Sequence, residues 1–287
     1  MMNLQLLTAN EKNLGAFKVK RFLPSPERRM VGPWIFFDHF GPATLNSEVG
    51  LDVRPHPHIN LATVTYLFEG EIIHRDSLGC VQPIRPGEIN LMVAGKGIVH
   101  SERESSQVRQ QQRTLHGVQL WCALPEAMEE CDPAFYHYSE EEIPEILVND
   151  VRVKVLIGSA YGLSSPVQTF SETFYATVSL KKGEKISLPD VPELALYLID
   201  GRLQNSTVKV PGSSMIVLPE NQRGALEAVE SSHIVMIGGA PLGQRYIDWN
   251  FVSSSKERIE KAKENWRAGL FPTVTGDEEE YIPLPER

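Results

Sequence analysis

The chain has 287 residues, of which 41% are hydrophobic and 23% charged, with a formal net charge of −9. That length exceeds one ordinary domain, so two domains with their own apolar cores are expected. The acidic balance excludes general affinity for nucleic acid, because the electrostatic term that dominates non-specific binding would be repulsive.

At the N-terminus, MMNLQLLTANEK lacks a charged start followed by an apolar run, so no signal peptide is expected. No apolar stretch approaches the roughly 20 residues needed to span a bilayer. The cysteines, Cys80, Cys122 and Cys131, have no C-x-x-C spacing, which fits a reducing compartment and a fold without disulfides. A cytoplasmic monomer with no membrane or direct nucleic-acid partner is expected. Lys18, Lys20, Arg21, Arg28 and Arg29 read as a solvated basic face. GPWIFFDHFGP reads as a Gly/Pro-bounded turn carrying His39, with Trp34, Phe36 and Phe37 as core.

Short segments rich in Val, Ile, Leu, Thr and aromatic residues follow at 62–68, 71–75, 89–93, 118–123, 151–157, 174–180, 194–199 and 214–218. Gly, Pro, Asn or Asp separates them, the pattern of an all-β sandwich or barrel. His74, Arg75 and Asp76 read as a polar turn, and Cys80 as a small apolar residue. TYLFEG at 65–70 is echoed by LYLIDG at 196–201, and Pro86–Gly87 before EINLMV by Pro211–Gly212 before SSMIVL. One β-barrel has therefore been duplicated, with the boundary expected at 133–139. SKERIEKAKENWRAG at 255–269 is the long helical candidate, with Ile259, Ala262 and Trp266 forming a narrow apolar stripe. In the tail, Tyr281, Ile282 and Leu284 are expected to dock on the body.

Two histidine motifs carry the chemistry. RPHPHIN places His56 and His58 two residues apart, and HSE does the same for His100 and Glu102. Residues two apart in a strand share a face, so two such strands facing each other inside a barrel converge four N/O ligands on one point. Gly95 and Gly97 in VAGKGIVHSE supply the tight turn before the second strand. Three imidazoles and a carboxylate suit one divalent transition metal, with Fe(II) the first expectation and Mn, Ni, Co, Cu or Zn the alternatives. A closed structural zinc site would use cysteine, and neither motif contains one. On an octahedral ion four protein ligands leave two adjacent positions open for a chelating substrate or dioxygen.

DHFGPA at 38–43, PHPHINLATVTYLFEGEIIHRDSLG at 55–79, PGEINLMVAGKGIVHSER at 86–103, LHGVQLWCALP at 115–125 and APLGQRYIDWNFVSSSKERIEKAKENW at 240–266 resemble the pirin family, a branch of the cupins. The likeness spans nearly the whole chain and is strongest over 32–125. It implies two cupin-type β-barrels in tandem (a bicupin) with a C-terminal helix: residues 1–137 as a metal-binding barrel, and 138–287 as a metal-free barrel with helix and tail. It places the metal on His56, His58, His100 and Glu102. The carboxylate that the general cupin pattern expects shortly after His-x-His is replaced here by Ala62, Thr63 and Val64, so Glu102 has to serve. The second repeat has no equivalent ligands, and His233 stands alone there. His39 could reach the edge of the site, and strand alternation leaves open whether His116 or Gln119 faces it. For function, the resemblance implies a quercetin 2,3-dioxygenase type of flavonol cleavage on a small aromatic substrate, with Glu102 as ligand and general base. The alternative is a non-enzymatic iron- and redox-sensing regulator that binds transcription factors or metabolic enzymes.

Overall fold

In the strand Thr173–Leu180, Phe174, Ala176, Val178 and Leu180 are buried on one face, and Leu194, Leu196 and Leu198 repeat the pattern in Glu193–Gln204. This period of two is what β-structure imposes on a chain with a core on one side. The computed structural model describes residues 5–13, 17–47, 50–205, 209–218 and 224–286. The described chain is mostly antiparallel strand and forms two units, as the repeat predicts.

One unit comprises the described residues up to Asn10, Arg21–Phe36 and Glu141–Pro241. Its main sheet runs Gln5–Leu7, Ser214–Leu218, Glu193–Gln204, Ala225–Gly239, Thr173–Leu180, Val151–Ile157 and Glu145–Val148. Trp34 is fully buried in this unit, and its indole N–H lies 3.0 and 3.1 Å from the carbonyls of Phe174 and Gly238. That satisfies the polar atom which burying a tryptophan would otherwise strand.

The other unit, here the histidine unit, comprises Glu11–Lys20, Phe37–Glu140 and the described residues from Leu242 onward. A four-stranded sheet runs Asp52–His58, Ile98–Arg103, Ile72–Asp76, Val81–Ile84. A seven-stranded sheet runs Ala134–Tyr138, Ile89–Val93, Leu61–Glu69, Arg113–Ala123, Trp34–Leu45, Lys18–Leu23, Asn10–Asn13. The expected turn around His39 is therefore a strand: Trp34 to Phe40 are all buried, and tertiary burial outweighs the Gly and Pro at its ends.

The duplication is visible in the pairing. Leu61–Glu69 lies between Ile89–Val93 and Arg113–Ala123, and Glu193–Gln204 lies between Ser214–Leu218 and Ala225–Gly239. Gly70 and Gly201 both have positive φ, at 97° and 86°. In the first copy the acid-Gly pair ends the strand; in the second it is a bulge within one long strand.

One change of unit falls at Glu140–Glu141, and each unit is assembled from several segments of the chain rather than from 1–137 and 138–287. Gln5–Leu7 pairs with Ser214–Leu218, and the C-terminal segment belongs to the histidine unit. Its helix, Lys256–Arg267, is capped by the Ser255 hydroxyl, which accepts from the Arg258 amide, and is followed by Gly269 at φ 66°. Ile259 and Ala262 pack on Ile59 and Phe251, with Trp249, Trp266, Phe271 and Leu284 around them. Burying Ile259 alone contributes roughly 1.5–3 kcal/mol. This stripe has its complement beside the His56–His58 strand, which decides where the helix goes.

A buried polar cluster ties the segment down. Glu129 accepts hydrogen bonds from Ser253 Oγ (2.9 Å), the Ser254 amide (2.8 Å) and Ser254 Oγ (3.0 Å), and pairs with Arg245 Nε at 3.0 Å. Farther on, the Ile282 amide donates to Pro55 O at 2.8 Å, and Trp266 Nε1 donates to Ile282 O at 3.1 Å. Arg103 grips Asp277 in bidentate fashion at 2.7 and 2.8 Å and also reaches Asp52 and Glu280. The tail thus docks through Ile282 and Leu284, and Tyr281, though exposed, sets its ring edge-on to Trp266 with centroids 5.5 Å apart. No helix among the described residues is long and apolar enough to cross a membrane.

Glu129→Ala would leave the Arg245 guanidinium buried without its carboxylate. We expect a loss of about 3–5 kcal/mol in the stability of the histidine unit, read by chemical denaturation. A loss below about 1 kcal/mol would show that this cluster does not hold the C-terminal segment.

Candidate metal centre

The site begins with a register. Asp52–His58 and Ile98–Arg103 pair antiparallel with His100 directly opposite His56 and Ile98 opposite His58. Cross-strand neighbours on one face approach closely enough for their side chains to meet. His56, His58 and His100 therefore converge, with ring centroids 4.3–5.0 Å apart, and one nitrogen of each lies within 4.8 Å of the others. All three are buried. Gly95 makes the preceding turn with φ 49°, and a Cβ there would collide with the Cys131 carbonyl, so the glycine is required.

Each ring is held in one orientation by its Nδ1 side. His56 Nδ1 lies 2.9 Å from Arg54 O, and His58 Nδ1 lies 2.9 Å from Asn250 O. A carbonyl only accepts, so both Nδ1 atoms carry the hydrogen and both Nε2 atoms keep a lone pair. His100 Nδ1 faces His74 Nδ1 at 3.4 Å, and its Nε2 is buried without a hydrogen-bond partner. Burial lowers the proton affinity of all three. It takes His56 to about 4, and it takes His58 and His100 well below the ordinary imidazole value, helped by the neighbouring histidines. Neutral imidazoles with convergent Nε2 lone pairs form a donor set that fits a transition metal.

Glu102 follows His100 by two residues, but the converging group consists of the three histidines. The strand register shifts between His100 and Glu102, setting Glu102 opposite Val53 rather than Arg54. The extra residue of this bulge lies on the Asp52–His58 strand, while the pairing with Ile72–Asp76 stays regular and sets Glu102 opposite His74, on the face it shares with His100. Glu102 is largely buried beside Thr65; burial pushes its carboxyl up to about 7, and the Thr65 hydroxyl opposes the shift. Thr65 Oγ1 also lies 2.8 Å from Gln119 Oε1, and its single proton serves one acceptor at a time.

The structure separates the residues that the sequence left open. Gln119 meets Thr65, and Trp121, two residues on, stands edge-on to His58 with centroids 4.9 Å apart. His116 instead meets His39, Nε2 to Nε2 at 2.9 Å. Three residues apart on one strand, His116 and Gln119 fall on opposite faces; the register shift at His116–Gly117 has its extra residue, Phe68, in the partner strand. In the other unit His233 is exposed and paired with Asp200 at 2.9 Å, and no second metal-competent group of His, Cys, Asp or Glu occurs among the described residues.

The expected polar turn at His74–Asp76 is the end of a buried strand, where both side chains join the site. His74 Nε2 lies 2.9 Å from Asp76 Oδ2, and its ring stacks on Phe135 with centroids 4.4 Å apart. The available signal was the His-x-Asp spacing, the same two-residue period as the ligand pairs. Nothing in the sequence could point to the Arg54 and Asn250 carbonyls, which are defined only by backbone position.

Residues 16–122 match the family model Pirin, and residues 175–272 match the Pirin C-terminal cupin domain. A pirin-like protein of Caulobacter vibrioides is 44% identical over 282 residues, covering 97% of this chain and 98% of its own. The crystal structure of a quercetin 2,3-dioxygenase from Acinetobacter baumannii superposes with a TM-score of 0.89 at 31% identity, covering 100% of this chain and 95% of that one. A bacterial pirin from Escherichia coli, solved in complex with nickel(II), has the same fold, with a TM-score of 0.65 at 20% identity over 83% of this chain and 99% of that one. The two units are cupin barrels, and the chain belongs to the pirin family.

Proposed function

We propose that this pirin is a metal-dependent dioxygenase able to cleave flavonols, of the quercetin 2,3-dioxygenase type. The observation that carries the reading is the buried triad of His56, His58 and His100, each Nε2 left to a single point. The likeness to the Acinetobacter quercetin 2,3-dioxygenase supports the choice of chemistry. The nickel-bound Escherichia coli pirin supports a divalent metal in general, and we take Fe(II) as the first candidate.

His56, His58 and His100 would hold the ion, with Glu102 as the fourth ligand. When bound, the metal would supply Lewis acidity toward a substrate hydroxyl and a path for electrons to dioxygen. The protein does the rest. Glu102 takes the proton of the flavonol 3-hydroxyl, and Thr65 and Gln119 form the polar wall beside it. Trp121, edge-on to His58, offers an aromatic surface for a flat substrate. Cys80, Cys122 and Cys131 form no disulfide, in keeping with the reducing, cytoplasmic setting of this reading.

Oxygen uptake and carbon monoxide release with quercetin and anaerobically iron-loaded protein test the proposal. Turnover is expected in the wild type. His100→Ala is expected to lose the metal and with it all activity. Glu102→Ala is expected to keep most of the metal while turnover falls roughly 10²–10⁴-fold, the usual worth of a positioned general base. Full metal occupancy without oxygen uptake on any flavonol would overturn the enzyme reading in favour of a regulator. Undiminished turnover in Glu102→Ala would remove the role given to that carboxyl.

A further inference from the structure

We infer that His74 and Asp76 are positioning residues that set the tautomer of His100, so that its Nε2 presents a lone pair to the metal. The inference rests on the metal reading of the three-histidine site and adds two residues to it. It stands on geometry: a buried chain runs from a backbone turn, through a carboxylate and an imidazole, to the ligand.

The chain starts at Asp76, which is fully buried. Its Oδ1 accepts from the amides of Leu78 at 2.9 Å and Cys80 at 3.1 Å, which fixes the carboxylate in the turn. That leaves Oδ2 for His74 Nε2 at 2.9 Å. A carboxylate has no hydrogen to give, so the hydrogen in this contact sits on His74 Nε2. With its hydrogen on Nε2 toward Asp76, His74 turns Nδ1 as its acceptor side toward His100 Nδ1 at 3.4 Å, the long end of hydrogen-bond range. The hydrogen there comes from His100 Nδ1. The remaining lone pair of His100 is on Nε2, the buried atom with no other partner. Phe135, stacked on the His74 ring at 22° between planes, keeps the imidazole from rotating out of line.

The other two ligands need no such relay, because backbone carbonyls do the same work for them. His56 is held by Arg54 O and His58 by Asn250 O. His100 has a side-chain imidazole in that place, and Asp76 makes the imidazole behave as a carbonyl would. Orientation of a ligating histidine through its second nitrogen is a general device, and losing the partner costs about 10–100-fold in metal affinity.

Asp76→Asn tests this sharply. The amide oxygen must stay on the Leu78 and Cys80 N–H groups, so the NH₂ turns toward His74 Nε2. His74 then accepts at Nε2 and donates from Nδ1, His100 accepts at Nδ1, and its hydrogen moves to Nε2. Long-range ¹H–¹⁵N spectra of the metal-free protein, with His100 assigned by comparison with His100→Ala, should show the Nδ1–H tautomer in the wild type and Nε2–H in Asp76→Asn. Nickel(II) titration calorimetry should show affinity reduced about 10–100-fold. His74→Gln places an amide oxygen where Nδ1 was and should lose far less affinity than His74→Phe. In the His74→Phe background, where no relay remains, Asp76→Asn should have little further effect on nickel binding. An unchanged His100 tautomer with unchanged nickel affinity in Asp76→Asn would overturn the relay, as would equal losses in His74→Gln and His74→Phe. A wild type that takes up no nickel or iron would refute the metal reading instead, and the metal-free spectra would still decide the relay.

Discussion

The antiparallel register that sets His100 opposite His56 is the constraint on which the rest of the site depends. Alternation brings His58 to the same face, and the Gly95 turn lets the second strand enter at the right height. A slip of one residue would send His100 outward and Val99 inward, dissolving the triad while leaving the sheet intact. The bulge after His100 shows how finely this register is used. Its extra residue sits in the Asp52–His58 strand, so Ile98–Arg103 keeps its alternation and Glu102 lies opposite His74 with Thr65 beside it.

A second layer keeps the rings in place. Three buried imidazoles close together are poor hosts for protons, and burial keeps them neutral. A neutral imidazole still has two tautomers, and only one of them offers Nε2. Each histidine meets a partner at Nδ1, and those partners come from three different parts of the histidine unit: Arg54 on the same strand, Asn250 in the C-terminal segment, and His74 on the neighbouring strand. The C-terminal segment is thus part of the site. Its helix packs on Ile59, its Asn250 carbonyl orients His58, and its tail closes on Pro55 and Arg103.

The two barrels show what duplication retains and what it releases. Both keep the central strand flanked by the same two neighbours, and both keep a glycine in the left-handed region after the acidic residue. The second barrel fills its interior with Val, Leu, Ile, Phe and Met where the first gathers histidines. An apolar interior needs no hydrogen-bonding partners, so the second copy can give up the polar groups that the first retains.

The sequence alone determined the all-β class, the duplication, the single long helix with its apolar stripe, and the three histidines, because each is written in a local period or a turn residue. Two-residue spacing marks the candidate ligands, and it marks His74 and Asp76 just as plainly, although beside Ser77 and Gly79 they read as a turn. Tertiary structure decided what periodicity cannot carry. It assigned the C-terminal segment to the histidine barrel, because the complement of the helix stripe lies at Ile59. It decided the places of Gln119 and His116, which fall on opposite faces of one strand, because only the fold determines that one face meets Thr65 and the other His39. It also supplied the Arg54 and Asn250 carbonyls, since every residue has a carbonyl and only the fold determines which one a histidine meets.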